Sequence, residues 1–248
     1  MKKLNINHKY IIMNITKENT VAEIVSKKLG SDHVFSKYKI DFCCGGGMTL
    51  EAACKENKVE FETLKQEIEA INTKIGGEQS LNDLDISSLI EQAIEEYHNY
   101  FAETIPQIMP FAAKVAEVHA ANNPEVVEIN VLTKGIEIVV TEMIQDLQSN
   151  LYPVIEEILN LNNISAEISL NQIEKVKKSL KNGEISQKLI GDTLKEITTL
   201  SSHFLAPDDA CNSFKFLYEK LHELAHQLHK YMHFENNVLI PKVLKLIE

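Results

Sequence analysis

From residue 86 to residue 248, apolar residues recur at three- and four-residue spacing through nearly the whole segment. This spacing places the apolar side chains on one face of an α-helix. The interruptions are short and are polar or contain proline; they lie near 123, at 160–164 and at 206–209. Four long helices with short connections predict an all-α chain whose larger part is a four-helix bundle.

Within the bundle, we expect helices over about 86–121, 124–159, 184–203 and 209–246. Pro106 and Pro110 predict a kink in the first helix, and Pro153 predicts a kink or step in the second. Asn182 and Gly183 form a pair that is typical of loops. We therefore expect a break there, between the third helix and a helical stretch that precedes it.

The N-terminal part predicts a second, smaller helical domain over 14–71. Thr20 and Glu23 have the spacing of a capping box and open its first helix. Further helices are expected around Phe35, from about Thr49, and over 59–71. Residues 72–85 are polar, glycine-containing and without periodicity, so they predict a linker to the bundle of 86–248.

The net charge of −11 argues against binding to nucleic acid or to an anionic membrane surface. No apolar run approaches the roughly 20 residues of a membrane-spanning helix, and we expect no signal peptide. These features predict a cytoplasmic protein. Its four cysteines are then expected to be mostly reduced.

The segment 41–47 reads Asp-Phe-Cys-Cys-Gly-Gly-Gly. Glycines let a partner approach the backbone closely, and a turn before a helix start favours the thiolate. Cys43 and Cys44 are therefore candidates for reactive or metal-ligating thiols. The alternative is a pair of small buried residues beside a tight turn. We interpret Cys54 and Cys211 as packing residues.

On the last helix, Glu235 lies in the middle of an apolar face together with Tyr231. A carboxylate in that position needs a partner, a metal ion or a proton. The opposite face carries four histidines, namely His222, His226, His229 and His233. This face fits a solvated polar surface, a surface metal site, or an interface with the N-terminal domain or another subunit.

Two further histidines belong to the first bundle helix. His98 adjoins an apolar stripe, where a histidine is either a hydrogen-bonded core residue or a metal ligand. His119 lies near the helix end, where a cationic side chain suits the helix dipole.

The Asp-Phe-Cys-Cys-Gly-Gly motif after a helix that contains Thr-Val-Ala-Glu-Ile-Val resembles the DUF542-type N-terminal domain of the repair-of-iron-centres family (RIC; ScdA/YtfE). The resemblance continues through Tyr97-His98, the Lys-Val…Val-His segment, Ala210-Cys211 and the Glu-Asn-Asn-Val-Leu-Ile-Pro stretch that starts at Glu235. It covers about residues 15–245.

The resemblance implies a hemerythrin-like bundle with a non-haem di-iron centre, held by four histidines and two bridging glutamates. It also implies a role in the repair of iron–sulfur clusters damaged by nitric oxide or oxidants. Of the six ligand positions, only His98 and Glu235 match the family. The other four positions hold different residue types, namely Met143, Leu147, Gln187 and Tyr231.

Thioether, alkyl, amide and phenol groups replace the missing ligands, so we expect this set not to hold two irons. The resulting hypothesis is a RIC-like protein with reduced or lost di-iron binding, in which Cys43 and Cys44 act in redox or metal transfer. One form keeps a mononuclear site at His98 and Glu235, with Tyr231 or Gln187 nearby.

In the other form the bundle is metal-free and His98 and Glu235 form a buried polar pair. The protein would then act as a regulatory or binding partner, such as an associate of an intact paralogue. The surface histidine face on the last helix is a third possibility for a metal site. Family resemblance also implies damaged iron–sulfur proteins as partners and a homodimer.

Overall fold

A computed structural model of the chain describes residues 15–27, 31–40, 47–70, 81, 84–164 and 166–248. The described residues are helical, with one isolated β-bridge between Thr20 and Thr49 and no β-strand among them. The chain divides into two compact units, residues 1–75 and 76–248. The predicted all-α class is confirmed.

The described part of the N-terminal unit contains four short helices: α1 (Val21–Lys27), α2 (Ser31–Lys37), α3 (Leu50–Asn57) and α4 (Phe61–Ala70). The Thr20 hydroxyl accepts from the Glu23 amide at 3.1 Å and the Glu23 carboxylate accepts from the Thr20 amide at 3.1 Å, which confirms the predicted capping box. Thr49 caps α3 by accepting from the Ala52 amide.

These helices enclose one small apolar core. Its most buried members are contributed by all four helices and by the segments that join them: Ile15, Val21, Ile24, Phe35, Ile40, Leu50, Ala53, Cys54, Leu64 and Ile68. The interpretation of Cys54 as a packing residue agrees with its burial. The Cys-Cys-Gly-Gly part of the motif, including Cys43 and Cys44, lies outside the described residues.

Over its described residues, the C-terminal unit forms four long helical segments. The first joins α5 (Ile86–Gln92) to α6 (Asn99–His119), the second joins α7 (Glu125–Asp146) to α8 (Tyr152–Asn163), the third is α9 (Leu170–Leu200), and the fourth joins α10 (Asn212–Phe234) to α11 (Ile240–Leu246). Helix α6 packs against α7 and α10, and α7 packs against α9. The short connections make sequential segments antiparallel neighbours, as in a four-helix bundle.

The expected break at Asn182-Gly183 is wrong. Helix α9 runs without interruption from Leu170 to Leu200, and it begins at a capping box formed by Ser169 and Gln172. A glycine inside a helix costs only about 1 kcal/mol relative to alanine. The buried stripe that includes Val176 and Ile190 continues on both sides of Gly183, and its packing outweighs that cost.

Three of the four segments contain a π-helical turn. These turns span Ala93–His98, Leu147–Leu151 and Glu235–Leu239. The second turn ends at Leu151, two residues before Pro153, where the sequence predicts a kink or step. The first precedes Pro106 and Pro110, and α6 continues through both prolines. A π turn inserts one extra residue into a helix and therefore rotates the side chains that follow it.

Candidate functional site inside the bundle

The π turns place polar side chains inside an otherwise apolar bundle. His98 closes the first turn, Tyr152 directly follows the second, and Glu235 opens the third. Together with their neighbours they form what we call the inner polar cluster, which consists of His98, Gln148, Tyr152, Gln187, Tyr231, Glu235 and Asn236. π turns are rare in proteins, and those that occur are often found at functional sites.

The central members of the cluster are almost completely shielded from solvent. The exposed fraction is 1% for His98, 0% for Tyr231, 3% for Glu235 and 4% for Tyr152. Buried polar groups are stable only when they are hydrogen-bonded, neutral or bound to a metal ion. The contacts of each group therefore decide what the cluster can do.

His98 is held on both ring nitrogens. Its Nε2 lies 2.9 Å from the Tyr231 hydroxyl, and its Nδ1 lies 3.0 Å from the Gln148 amide nitrogen. Burial lowers the pKa of His98 to about 4, so its imidazole is neutral at pH 7. With the Gln148 nitrogen donating to Nδ1, the proton of the neutral ring resides on Nε2 and points to Tyr231.

Glu235 is the carboxylate of the cluster. Its Oε2 accepts a 2.7 Å hydrogen bond from Gln187 Nε2, and Gln187 Oε1 in turn accepts from Asn236 at 2.7 Å. Burial raises the pKa of Glu235 to about 7, while hydrogen bonds from Tyr231 and Gln187 oppose that shift. Burial and the Glu235 charge hold the pKa of Tyr231 well above its usual value.

Sequence reasoning missed Tyr152. Its ring stacks on His98 with 5.9 Å between the ring centroids, and burial raises its pKa. The Tyr152 hydroxyl lies near Tyr231, but it makes no well-formed hydrogen bond. An aromatic residue before a proline in a helix resembles a core residue, and only the π turn before it shows that it adjoins the polar centre.

A cavity of about 10 Å³ adjoins the carboxylate end of the cluster. Glu235 and Gln187 line it together with Ser179, Gly183 and aliphatic side chains. This volume is at the lower limit of what one water molecule requires. The cavity therefore offers no room for an organic ligand.

The outer histidines lie on the opposite side of α10 from the cluster. His222 is exposed and stacks on Phe204 with 5.2 Å between ring centroids, and His233 Nδ1 lies 2.9 Å from the Asn237 amide nitrogen. His226 and His229 are half-buried. Among the described residues, no three side chains of the His, Cys, Asp and Glu types are grouped to hold a metal ion. A site with fewer such ligands stays a prediction.

Comparisons with known proteins agree with this architecture. Residues 17–72 match a family model described as a domain of unknown function, DUF542, named ScdA_N. The iron–sulfur cluster repair protein ScdA of Staphylococcus haemolyticus is 31% identical over 234 residues, covering 92% of this chain and 99% of the relative.

The chain belongs to the repair-of-iron-centres family. A second relative, the iron–sulfur cluster repair protein YtfE of Yersinia pseudotuberculosis, is 25% identical over 217 residues, covering 86% of this chain and 90% of the relative. These two relatives extend over both units, so the family assignment concerns nearly the whole chain.

The structure places the six family ligand positions within the bundle segments. Met143 and Leu147 are buried in the second segment, and Gln187 is buried in α9. Gln187 and Tyr231 contact the two retained residues, Glu235 and His98. Their roles as metal ligands stay predictions.

The interpretation of Cys211 as a packing residue is wrong. Cys211 is exposed at the N-cap of α10, and its Sγ lies 3.2 Å from Nε2 of His119. The His119 ring also packs on Phe214, with 5.2 Å between ring centroids. The two residues are 92 positions apart in the sequence, so spacing gave no signal for this thiol–imidazole pair.

Proposed function

We propose that this RIC-family protein acts in the repair of iron–sulfur clusters without a di-iron centre in its bundle. Family membership and the printed names of the relatives support the repair role. The composition of the inner polar cluster supports the second part, because the residues that occupy the family's ligand positions are different in kind.

The observation that carries this proposal is the single carboxylate of the cluster. A di-iron carboxylate centre needs acidic side chains from several helices, two of which bridge the ions. In the inner polar cluster only Glu235 is acidic. Met143 and Leu147 supply a thioether and an alkyl group on the segment that would contribute a histidine and a glutamate. The donors present suffice for at most one ion.

The Cys43 and Cys44 thiols are proposed to perform the redox or metal-transfer step, and damaged iron–sulfur proteins are the proposed clients. The chain would work in the cytoplasm as a homodimer, with domain limits of 14–71 and 86–248 around the 72–85 linker. Among the described helices, none is long and apolar enough to cross a membrane.

A client-reactivation assay tests the proposal. An iron–sulfur dehydratase inactivated by nitric oxide is incubated with the full chain and the recovery of its activity is followed. The Cys43→Ser and Cys44→Ser variants should lose most of this recovery. Cys211→Ser is the matched control, because serine is a favoured N-cap residue and should preserve α10. Equal recovery with all four proteins, or none with the unmodified chain, contradicts the proposal.

A second candidate is a metal-free regulatory partner. The hydrogen bonds that join His98, Tyr231, Glu235 and Gln187 favour it, because they satisfy buried polar groups without a metal ion. A chain with this role would retain no iron after loading, and it would form a stable complex with a family member that carries the full ligand set.

A further inference from the structure

The Tyr152 hydroxyl is one of three buried side-chain polar atoms without a well-formed hydrogen bond in the described part of the chain, the others being in Tyr100 and Asn130. Tyr152 is 4% exposed, and its oxygen lies near the Tyr231 hydroxyl without a well-formed hydrogen bond to any group in the described part of the chain. An unpaired buried hydroxyl is destabilising, and phenylalanine at this position would avoid that cost. Tyr152 therefore suggests that a ligand of the hydroxyl exists in the functional state.

Three further metal-donor groups lie near Tyr152, because its ring stacks on His98, its hydroxyl adjoins the Tyr231 hydroxyl, and the charge of Glu235 acts on it. Tyr231 lies beside Tyr152, with its own oxygen 2.9 Å from His98 Nε2 and in hydrogen-bonding reach of Glu235. Adjacent ligands of one metal ion are about 3 Å apart when the bonds are roughly 2.1 Å long and perpendicular. A hydrogen bond gives the same separation of two atoms, so the distance from the Tyr231 oxygen to His98 Nε2 does not by itself indicate a metal site. The observation that points to a metal site is the Tyr152 oxygen, which lies among these donors without a well-formed hydrogen bond.

We propose that the inner polar cluster binds one ferric ion through His98 Nε2, Glu235 and the two phenol oxygens of Tyr152 and Tyr231. The site would replace the two-iron centre of the family by a one-iron centre of a different ligand type. This inference rests on the proposed function in one respect, namely that the bundle does not hold two irons.

Charge balance supports a trivalent ion. On binding, the two phenols and any protonated carboxyl release their protons, and two phenolates with one carboxylate carry three negative charges. One ferric ion neutralises them, which makes the buried site neutral as a whole. Without a metal ion, the same groups can stay protonated and exchange hydrogen bonds, which explains why the fold tolerates them.

The donor types support iron over softer metals. The four groups offer three oxygens and one imidazole nitrogen, and none of them is a thiolate or thioether. Hard anionic oxygens favour hard cations, and phenolate is an established ligand of ferric iron. His98 and Glu235 lie within π turns and Tyr152 directly follows one, and these turns would be the structural reason that one ion contacts all four donors.

Gln148 is the positioning residue of this site. It is exposed, lies within the second π turn and contacts His98 Nδ1 at 3.0 Å. Metal-bound imidazoles donate their other N–H to an oxygen. Rotation of the Gln148 amide would present Oε1 to Nδ1 and leave Nε2 free for the ion.

Ferric loading of the full, untagged chain tests the proposal. Metal-free protein is treated with Fe(III) nitrilotriacetate, unbound iron is removed, and iron content and visible absorption are measured. We expect one iron per chain and a phenolate-to-iron charge-transfer band. Tyr231→Phe and Tyr152→Phe should each reduce the intensity of the band by about half and weaken iron retention at least tenfold, and the double variant should have no band. Gln148→Leu should weaken retention less.

Tyr218→Phe is the matched control. Tyr218 is equally buried and lies on the same helix as Tyr231, thirteen residues away and thus about 20 Å along the axis. Loss of the Tyr218 hydroxyl should leave the iron content and the visible absorption unchanged. Circular dichroism and the melting temperature of each variant show whether the fold is kept.

The proposal is overturned if the folded chain retains no iron, or if it retains iron without a phenolate band. It is also overturned if the band keeps its full intensity in Tyr152→Phe or in Tyr231→Phe. In each of these cases the client-reactivation assay still reports on the repair function separately. Retention of two oxo-bridged irons overturns both the one-ion site and the absence of a di-iron centre.

Discussion

The two groups of potential ligands on the last bundle segment differ in burial and in partners. The outer face carries four histidines, but His222 is exposed and the others are half-buried. The inner polar cluster has one histidine from another helix, and its central side chains are buried and held by several helices. The number of metal-binding residue types on one helix is therefore a poorer guide to a metal site than the convergence of donor side chains from several helices.

The largest expected difference between the two groups is in stability. His98→Ala should lower the free energy of unfolding by about 4 kcal/mol, because it leaves a cavity and removes the partner of Tyr231. His222→Ala should change it by less than about 0.5 kcal/mol, as exposed substitutions usually do. Urea unfolding of both variants makes the measurement. Similar values for the two would remove the energetic distinction between the faces.

The next largest expected effect is a pH dependence of the free energy of unfolding, caused by Glu235. Its folded pKa of about 7 exceeds the ordinary value of 4.5, so the folded state binds the extra proton. The stabilisation of the folded state by this proton is complete below pH 4.5 and is lost as the pH rises through 7. Metal-free wild type should therefore lose roughly 3 kcal/mol relative to Glu235→Gln between pH 4.5 and 8.

Paired urea titrations at several pH values measure this difference. Because both proteins contain His98, whose pKa is lowered to about 4, its opposite contribution cancels to first order in the comparison. A difference that stays constant with pH would show that Glu235 does not titrate inside the bundle.

Tyr152→Phe should have a smaller effect and one of opposite sign. In metal-free protein the substitution removes an unpartnered buried hydroxyl, so we expect the protein to become more stable by about 1 kcal/mol. Thermal unfolding of chelator-treated protein measures the change. Destabilisation would mean that the hydroxyl has a structural partner, which weakens the case for a ligand there.

The smallest effect concerns a histidine outside both groups. His119 can accept the thiol proton of Cys211 as an alkylating reagent reacts, so His119→Ala should slow the alkylation of Cys211 about threefold. Mass spectrometry of the Cys211 peptide follows the reaction, with buried Cys54 as the slow reference. An unchanged rate would show that the contact does not assist the thiol.

Much of this fold follows from sequence patterns. The apolar period predicts the four segments, and the capping box at Thr20 and the start of α3 at Thr49 are confirmed. A carboxylate on an apolar helix face needs a partner, which makes Glu235 a candidate site residue from the sequence. In the structure Gln187 and Tyr231 are its partners. These features depend on local rules that short sequence windows contain.

Other features depend on structure that no short window contains. The π turn at 147–151 changes the helical register, so a period of 3.6 residues gives no hint that Tyr152 faces the cluster. The Cys211–His119 contact joins two helix ends that only the bundle topology brings together. Gly183 stays helical because tertiary packing outweighs its local preference.

Electron paramagnetic resonance of the ferric-loaded chain tests the central claim most directly. An isolated high-spin ferric ion gives a strong signal, whereas two oxo-bridged ferric ions couple and give none. The account predicts one iron per chain and a high-spin ferric signal that quantitatively matches the iron content. Two irons per chain without a signal would show that the bundle still holds a di-iron centre and would contradict the account.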